Sequence, residues 1–354
     1  MLYNTNRYEL VFIFPVIVLT LHRKDKMKAM KENQSKYKLI VNHVIDGINN
    51  NTYKKGDWIP SINEFRQLYS LSRDTVFAGL SELKAKGVID SNPGVGYYVV
   101  STQNGFRHKV FLLFNEFNEF KENLYRSFMD SVEKTATVDL FFHNYNRKVF
   151  NTLIEEAKGK YTTYIIMSGK FKGTEPLLKS LNGPVFLLDH YHPELKGKYS
   201  SVAQSFEKDT YQALVYGLSS LQKYKHICMV QEEEKEPEER YLGLSSFCKE
   251  HPFSCEYIAS TKNRAIKQGE VYMVVRDRDL VDLLKQAAIQ QFQPGQEFGI
   301  ISYNDTPLKE VLAGGITTLS TDFKLMGQTM ASLINKKQIE TIENPWTLNL
   351  RKSL

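Results

Sequence analysis

The apolar positions between residues 36 and 100 change their spacing along the chain, and this change separates helices from strands. Three consecutive segments repeat an apolar residue every three or four positions, which is typical of amphipathic helices. The first begins near Lys36, the second covers 62–69, and the third starts after Ser72 and is stopped by Gly87. The residues expected on the buried stripes are Tyr37, Ile40, Val41, Val44, Ile45, Ile48, Ile62, Phe65, Leu68, Val76, Phe77, Leu80 and Leu83.

Turn residues mark the limits of these elements. Pro60 disfavours helix at the residue before it, and Ser61 and Ser72 can each accept a backbone N–H at a helix N-terminus. Downstream, 88–89 and 97–100 are rich in β-prone residues and flank a turn that contains Asn, Pro and Gly. The pattern therefore predicts a supporting helix, then helix, turn, helix and hairpin.

Residues 36–100 resemble the winged helix-turn-helix domain of the GntR family of regulators. The residues that carry the resemblance are Gly56, Ile59–Ser61, Ser72–Val76, Leu80, Leu83, Gly87–Ile89 and Gly94–Val99. The resemblance implies that the third helix reads DNA and that the hairpin is the wing. The DNA contacts it implies are Ser61, Asn63, Ser72, Arg73, Asp74, Thr75, Gly94 and Gly96. Asn63 and Phe77 depart from it, since the family usually has arginines there. A winged helix that binds protein is the alternative.

A different pattern follows the polar linker. Short β-prone apolar runs alternate with amphipathic segments, which is typical of βαβ units with parallel sheets and ligands at the carboxyl ends of strands. The runs are Val110–Phe114, Val138–Phe142, Tyr164–Met167, Val185–Leu188, His226–Val230, Cys255–Ile258, Val271–Val275 and Phe298–Ser302. Because this region is about twice as long as one doubly wound lobe, the predicted fold is α/β with two lobes and a cleft between them.

Residues 108–345 resemble the ligand-binding domain of LacI-family regulators, which is itself similar to type I periplasmic binding proteins. The segments that carry this resemblance are 185–189, 239–243, 272–277, 300–306 and 315–327. It implies a bilobal domain that dimerises and holds a sugar between planar polar groups and an aromatic side chain. The effector-binding residues it implies are Phe117, Asp189, His190, Arg240, Arg276 and Asn304.

Three departures from the LacI pattern bear on the ligand. Asn304, Arg276 and Gln204 stand where the family commonly has Asp, Asn and Asp. Extra arginine and a missing carboxylate leave open an acidic sugar, a phosphosugar, or a deoxysugar such as L-fucose whose methyl group would meet aromatic loops. The aromatic residues of those loops are Phe114, Phe117, Phe120 and Phe171. An ion pair with Glu236 or Glu239 is the alternative role for Arg240.

Charge and cysteine usage add little chemistry. The 354 residues carry a net charge of +6, yet between 34 and 102 eight basic residues face six acidic ones, so placement matters more than total. Three cysteines without a CxxC pair suit reduced thiols in a cytoplasm. His190 and His192 alone are a weak metal pair, so no metal and no cofactor are expected. No Ser-His-Asp or HExxH motif is found, and an enzyme is not expected.

The sequence divides into five segments: an N-terminal extension at 1–33, the winged helix-turn-helix at 34–101, a linker at 102–107, the LacI-like domain at 108–345 and a C-terminal tail at 346–354. The apolar run at 10–21 is interrupted by Pro15 and is shorter than a bilayer span of roughly 17 to 25 residues. We therefore expect the working protein to start near Met27 or Met30 and to have no membrane partner, with a membrane anchor as the alternative.

The two resemblances together imply a cytoplasmic, homodimeric transcriptional regulator. Its partners are expected to be operator DNA and a small carbohydrate effector, with dimerisation through the C-terminal domain and repression of a carbohydrate-utilisation operon. The alternative is a GntR-type DNA-binding module fused to an enzyme-like domain or to a domain that binds a metabolite other than a sugar.

Overall fold

A computed structural model describes residues 36–102, 109–134, 136–262, 264–336 and 338–354. The predicted extension at 1–33 and nearly all of the predicted linker at 102–107 lie outside these residues. The described chain divides into two compact units, one holding the helix-turn-helix region and the other holding most of the chain from Val110 onward. Each unit is described by itself.

The first unit has the predicted order of elements. Helix α1 covers 36–49, and the elements after it are α2 (Ile62–Tyr69), α3 (Arg73–Ala85), β1 (Ile89–Asn92) and β2 (Gly96–Val99). Strands β1 and β2 pair antiparallel, with Ile89 opposite Val99. The predicted second helix and the hairpin are confirmed.

Local hydrogen bonds explain why the helices begin where they do. The Ser61 hydroxyl accepts the Glu64 N–H at 3.3 Å, and the Glu64 carboxylate accepts the Ser61 N–H at 2.7 Å, which forms a capping box. The Ser72 hydroxyl accepts the Thr75 N–H at 3.2 Å. Gly79 brings α3 against α1, because a Cβ there would lie 2.8 Å from that of Ile40.

Two residues predicted on the buried stripes lie on the surface instead. Leu68 is 59% exposed and Phe77 is 55% exposed. The core of this unit uses Phe65 from α2 and Val76, among others, from α3. Phe77 follows Val76 and lies roughly 100° further around the helix, which turns it away from the core.

The second unit consists of two lobes, each built on a six-stranded sheet. Its strands are β3 (Lys109–Phe114), β4 (Thr137–Phe142), β5 (Thr163–Ile166), β6 (Val185–His190), β7 (Ser200–Gln204), β8 (His226–Val230), β9 (Ser254–Ile258), β10 (Glu270–Val274), β11 (Gly299–Tyr303), β12 (Thr317–Thr321), β13 (Thr341–Glu343) and β14 (Trp346–Asn349). The sheet orders are β4-β3-β5-β6-β7-β13 and β9-β8-β10-β11-β12-β14. Parallel pairing predominates, and β14 pairs antiparallel with β12.

Helices pack on these sheets. They are α4 (Glu119–Ser131), α5 (Arg147–Ala157), α6 (Glu175–Leu178), α7 (Phe206–Tyr216), α8 (Leu218–Leu221), α9 (Glu239–Glu250), α10 (Asp277–Gln290), α11 (Pro307–Val311) and α12 (Phe323–Leu333). The predicted α/β class with parallel sheets in two lobes is confirmed.

The chain crosses between the lobes at three places. It leaves the N-terminal lobe after β7 and enters α7, whose Leu214 belongs to the C-terminal core. It returns after β12 into α12, whose Met326 belongs to the N-terminal core. It crosses again between β13, which pairs with β7, and β14, which pairs with β12. Three short connections therefore form the junction of the lobes.

The predicted C-terminal tail at 346–354 is wrong, because these residues are part of the domain. Asn349 of β14 lies opposite Thr318 of β12. Ser353 is buried, accepts the Thr317 N–H at 2.7 Å and donates to the Ile300 carbonyl at 2.8 Å. A four-residue strand paired with a distant segment leaves little local signal, so the sequence pattern could not distinguish it from a tail.

No helix within the described residues combines the length and apolar character that crossing a bilayer requires. The apolar run at 10–21 lies outside those residues.

Candidate functional sites

The first candidate site is the outer face of the helix-turn-helix. Ser72, Arg73 and Asp74 are exposed at the start of α3, and Ser61 and Asn63 are exposed at the start of α2. Within residues 36–102 Arg73 has no ion-pair partner. A free guanidinium on the first turn of this helix is suited to a phosphate or a base edge.

Thr75 does not belong to this exposed surface. It was predicted as a DNA contact, but it is 3% exposed and its hydroxyl lies 2.7 Å from the Ser72 hydroxyl. The structure assigns Thr75 to the helix start, where it supports the cap. Ser and Thr side chains can either cap a helix or contact DNA, so the sequence alone did not separate the two roles for Thr75.

The hairpin depends on the two glycines of its turn. Gly94 and Gly96 have φ of +78° and +150°, a backbone region that L side chains rarely adopt. Gly96 lies against Trp58, because a Cβ at Gly96 would be 3.6 Å from a carbon of the Trp58 ring. Lys84 of α3 reaches β1, with its Nζ 2.7 Å from Asp90 and 2.7 Å from the Ser91 hydroxyl. The positive φ values give both glycines a conformational role in the turn, and the DNA contact predicted for them stays a prediction.

The second candidate site is the cleft between the lobes of the second unit. It encloses about 250 Å³, close to the lower end of small-molecule sites at roughly 300 Å³. The predicted effector residues that line it are Asp189, His190, Arg240, Arg276 and Asn304. They come from the end of β6, the start of α9 and the segments after β10 and β11. The cleft therefore lies at the carboxyl ends of strands from both sheets, as predicted.

Phe117 does not line the cleft, although it was predicted to bind the effector. Its side chain is 51% exposed, and its ring lies edge-on to Phe142 at a centroid distance of 5.6 Å. Phe120, one helical turn later, lines the cleft together with Phe206 and Phe323. The prediction of Phe117 is therefore wrong, although Phe120 of the same segment does line the cleft. The sequence could not distinguish the two rings, because the direction of a loop side chain depends on tertiary packing.

Arg240 is a buried cation of the cleft. It is 6% exposed, and its guanidinium carbon lies 4.7 Å from the ring centre of Phe206 and 4.6 Å from that of Tyr303. It forms an ion pair with Glu236, which was the alternative role. Its buried Nε has no hydrogen-bond partner among the described residues. Arg240 therefore lines the cleft, is paired with an acid, and leaves one buried N–H without a partner among the described residues.

Asp189 stands at the centre of a buried chain of hydrogen bonds. Lys121 Nζ lies 2.7 Å from one carboxylate oxygen, and the Gln204 amide donates to the other at 2.5 Å. Burial by itself raises the pKa of Asp189, but the Lys121 ammonium and these hydrogen bonds outweigh it and hold the pKa below its ordinary value. Gln204 accepts from the Thr321 hydroxyl at 2.5 Å. An aspartate at 204 would place two carboxylates together, which explains the amide there.

The other charges of the cleft are also compensated. Arg276 lies 2.7 Å from Asp279 and 3.1 Å from Glu232. Lys170 donates to the Glu233 carbonyl at 2.5 Å. His190 lies 3.6 Å from Glu239, and its interaction with this imidazole lowers the pKa of the Glu239 carboxyl to about 2. Other ion pairs at the cleft join Lys235 to Glu232 and Lys309 to Asp277.

One group of residues has the composition of a metal site. His226, Glu256 and Glu270 place their ligand atoms within 4.8 Å of one another. Arg264 forms ion pairs with both carboxylates, at 3.0 Å from Glu270. A guanidinium between the two acids makes this group a salt-bridge cluster.

Comparison with known proteins covers the two units separately. Residues 36–99 match the family described as bacterial regulatory proteins, gntR family. The HTH-type transcriptional regulator YcxD of Bacillus subtilis is 34% identical over 65 residues, which are 18% of this chain and 15% of that protein. The chain thus spans only a small part of the length of that relative.

Solved structures resemble the second unit. A LacI family transcriptional regulator from Silicibacter pomeroyi superposes with a TM-score of 0.60 at 16% identity, covering 70% of this chain and 98% of that one. A LacI family regulator from Enterococcus faecium, solved with bound ribose, gives 0.56 at 18% identity, covering 69% and 98%. This protein therefore joins a GntR-type helix-turn-helix domain at residues 36–99 to a two-lobed domain with the fold of LacI-family regulators.

Proposed function

We propose that this protein is a ligand-responsive, DNA-binding transcriptional regulator of a carbohydrate-utilisation operon, acting in the cytoplasm as a homodimeric repressor. The observation that carries the proposal is the union in one chain of two parts: a helix-turn-helix with an exposed first turn on α3, and a cleft lined by polar side chains from both lobes. The C-terminal domain would supply the dimer contact.

The DNA-binding half of the proposal rests on the α3 face. Arg73 is exposed and unpaired within residues 36–102, and Ser72 is exposed beside it. Recognition helices of this type enter the major groove with their first residues against base edges and phosphates. Asn63, Asp74 and the turn around Gly94 complete the surface that would meet the duplex. Two such surfaces in a dimer would read two half-sites.

The charge balance of the cleft supports an uncharged ligand. Its lysines and arginines already have acidic partners or a backbone carbonyl, so an anionic sugar would have to displace one of these partners. Arg240 keeps an unpartnered Nε–H, and Asp189 and Asn304 offer oxygens to hydroxyl groups. Such planar groups suit sugar hydroxyls, and the rings of Phe120 and Phe206 suit the apolar face of a sugar.

These features favour a neutral monosaccharide over a phosphosugar or an acidic sugar. Two proteins with this fold were solved with neutral sugars, one with ribose and one with D-xylulofuranose. L-fucose is a member of the neutral class, and its methyl group would find apolar contact among the aromatic side chains of the cleft.

The junction of the lobes offers a route from ligand to DNA. Asp189 belongs to the N-terminal lobe and Arg240 to the C-terminal lobe, so one ligand that binds both would favour a closed arrangement. The Gln204 side chain joins Asp189 to Thr321, and Gln204 and Thr321 lie at two of the three connections. A ligand that binds one arrangement more tightly must change DNA affinity if DNA also distinguishes the arrangements.

A thermal-shift screen of the full-length chain tests this function. The panel should contain neutral pentoses, hexoses and 6-deoxyhexoses, their phosphates and the matching uronic acids, with L-galactose as the matched control for the methyl group of L-fucose. A ligand at 100 times its Kd stabilises by roughly 2.7 kcal/mol, which is easily measured.

We expect a neutral sugar to raise the melting temperature and its phosphate to leave it unchanged. DNA selected from a random duplex library should then be released by the same sugar. Stabilisation by phosphosugars alone would contradict the neutral-ligand assignment, and failure to select any duplex would contradict the regulatory function.

A further inference from the structure

The recognition helix α3 presents a large apolar ring to solvent at the middle of its outer face. Phe77 is 55% exposed, whereas Val76 and Leu80 beside it are fully buried. Arg73, Phe77, Ser81 and Lys84 follow one another at intervals of three or four residues and therefore share one side of the helix. Within residues 36–102 the ring of Phe77 has no aromatic partner.

The helix cannot rotate to bury this ring. Val76, Leu80 and Leu83 are part of the core of the first unit, and Gly79 lies against Ile40 and the Tyr37 carbonyl. Rotation would expose those three residues and drive the backbone of α3 into α1. Phe77 is therefore held outward by the packing of the opposite face, and its exposure contributes nothing to the core.

The surroundings of Phe77 favour DNA over an apolar protein partner. Arg73, one turn earlier, carries an unpaired positive charge on the same side, which complements the phosphate backbone. Lys84, at the other end, is held by Asp90 and Ser91 and braces the hairpin. A ring placed between these two side chains lies where a recognition helix meets the floor of the major groove.

An aromatic ring has no hydrogen-bonding group for the base edges. The one apolar group that a standard base pair presents in the major groove is the thymine 5-methyl group. We propose that Phe77 reads thymine by packing its ring on that methyl group, so that each operator half-site contains a thymine at one required position. This inference rests on the proposed DNA-binding function.

The test begins with duplexes selected from a random library by the full-length wild-type protein. In the selected duplex each thymidine is then replaced, one position at a time, by deoxyuridine, which keeps every hydrogen bond and removes only the methyl group. We expect one position per half-site at which this replacement weakens binding by roughly three- to tenfold, the range of one buried methyl group with its packing.

The variant Phe77→Ala should bind the thymine duplex more weakly by a similar factor and should bind thymine and uracil duplexes equally. Phe77→Leu, which keeps apolar contact, should retain part of the preference. The matched control is Leu68→Ala, because Leu68 is an equally exposed apolar residue on α2 and should leave the preference for thymine intact. Circular dichroism confirms that each variant is folded.

Three outcomes would overturn the inference. These outcomes are selected duplexes without an invariant thymine, wild-type protein that tolerates uracil at every position, and a Phe77→Ala variant that keeps the wild-type preference. Any of these results, obtained with a duplex that binds specifically, would contradict the thymine contact alone and would not affect the proposed regulatory function. Failure to select any duplex would contradict both the thymine contact and the regulatory function.

Discussion

Two surfaces of this protein, the outer face of the helix-turn-helix and the cleft, differ in whether their cations are paired. On the helix-turn-helix, Lys54, Lys55 and Arg73 are exposed and have no ion pair within residues 36–102. In the cleft, Lys121 and Arg240 are buried and each is paired with a carboxylate. The named cations of the helix-turn-helix are therefore unpaired, whereas those of the cleft are paired with carboxylates.

This contrast indicates what each surface can bind. A free surface cation gains affinity for a polyanion by releasing the counterions of the phosphate backbone. A buried cation without a partner is costly, so the pairing of the cleft cations supports the proposed uncharged ligand. The following predictions separate the two behaviours.

The largest expected difference is in salt dependence. A protein that contacts six to ten phosphates loses roughly 10³-fold or more in DNA affinity between about 50 and about 200 mM salt. Sugar binding in the cleft should change less than about twofold, since its charges are buried and little screened. DNA titration and calorimetry on one preparation measure both. A sugar affinity that falls as steeply as DNA affinity would mean that the ligand is anionic.

Truncation of the enclosed arginine should affect the ligand alone. Arg240→Ala should weaken sugar binding by roughly ten- to a hundredfold, because hydrogen bonds to charged groups contribute about 1.5 to 3 kcal/mol. DNA affinity without sugar should be unchanged. Arg278→Ala, an exposed arginine on α10, is the control. Normal sugar binding by Arg240→Ala would leave its ion pair with Glu236 as its whole role.

Truncation of the exposed arginine should affect DNA alone. Arg73→Ala should weaken operator binding by about tenfold, because a charge-assisted contact on the first turn of α3 is lost. If Arg73 contacts phosphate, specific and non-specific duplexes should weaken alike in gel-shift titrations. Arg126→Ala, at an exposed ion pair on α4, is the control and should bind DNA normally. Equal affinity for both variants would contradict the placement of α3 in the groove.

The smallest expected effect concerns Asp209, a buried carboxyl for which the described part of the chain provides no ion pair. Burial raises the pKa of Asp209 to about 6. The folded state therefore binds a proton at Asp209 more tightly than the unfolded state does, where the pKa of an Asp is about 3.9. The ionised carboxylate destabilises the fold above about pH 6, and this destabilisation shrinks as the pH falls toward about 3.9.

Asp209→Asn should consequently raise the melting temperature by a few degrees at pH 7.5, with a gain that shrinks toward pH 4.5. The amide oxygen can still accept the Ser205 N–H, which the carboxylate accepts at 3.1 Å. Asp130→Asn, at an exposed position on α4, is the control and should show no gain that depends on pH in this way. An equal gain at both pH values would show that ionisation of Asp209 is not the cause.

The sequence predicted those parts of the molecule that depend on neighbours in the chain. Ser61 and Ser72 marked both helix starts because a cap involves residues three positions apart. The apolar runs located eight strands of the second unit. Strand β7 was not predicted, because Ser200–Gln204 is largely polar in composition although all five residues are buried. Burial of such a strand depends on the sheet around it.

Periodicity was a weaker guide to the direction of individual side chains. Leu68 and Phe77 were expected inside and are exposed, and Phe117 was expected in the cleft and lies outside it. Each has an apolar neighbour one to four positions away that takes the buried place. A stripe of apolar residues locates the buried face of a helix to within about one residue. Packing against other elements then determines which of these residues is buried.

By itself, the sequence determined the two kinds of domain, the helix limits of the first unit and the strand ends that carry Asp189 and Asn304, because these depend on local spacing and turn chemistry. Only the tertiary structure decided that Lys121, Gln204 and Thr321 join Asp189 in one buried chain of hydrogen bonds. Those residues come from segments far apart in the chain. Their meeting depends on sheet order and on the three crossings between the lobes, which no local pattern encodes.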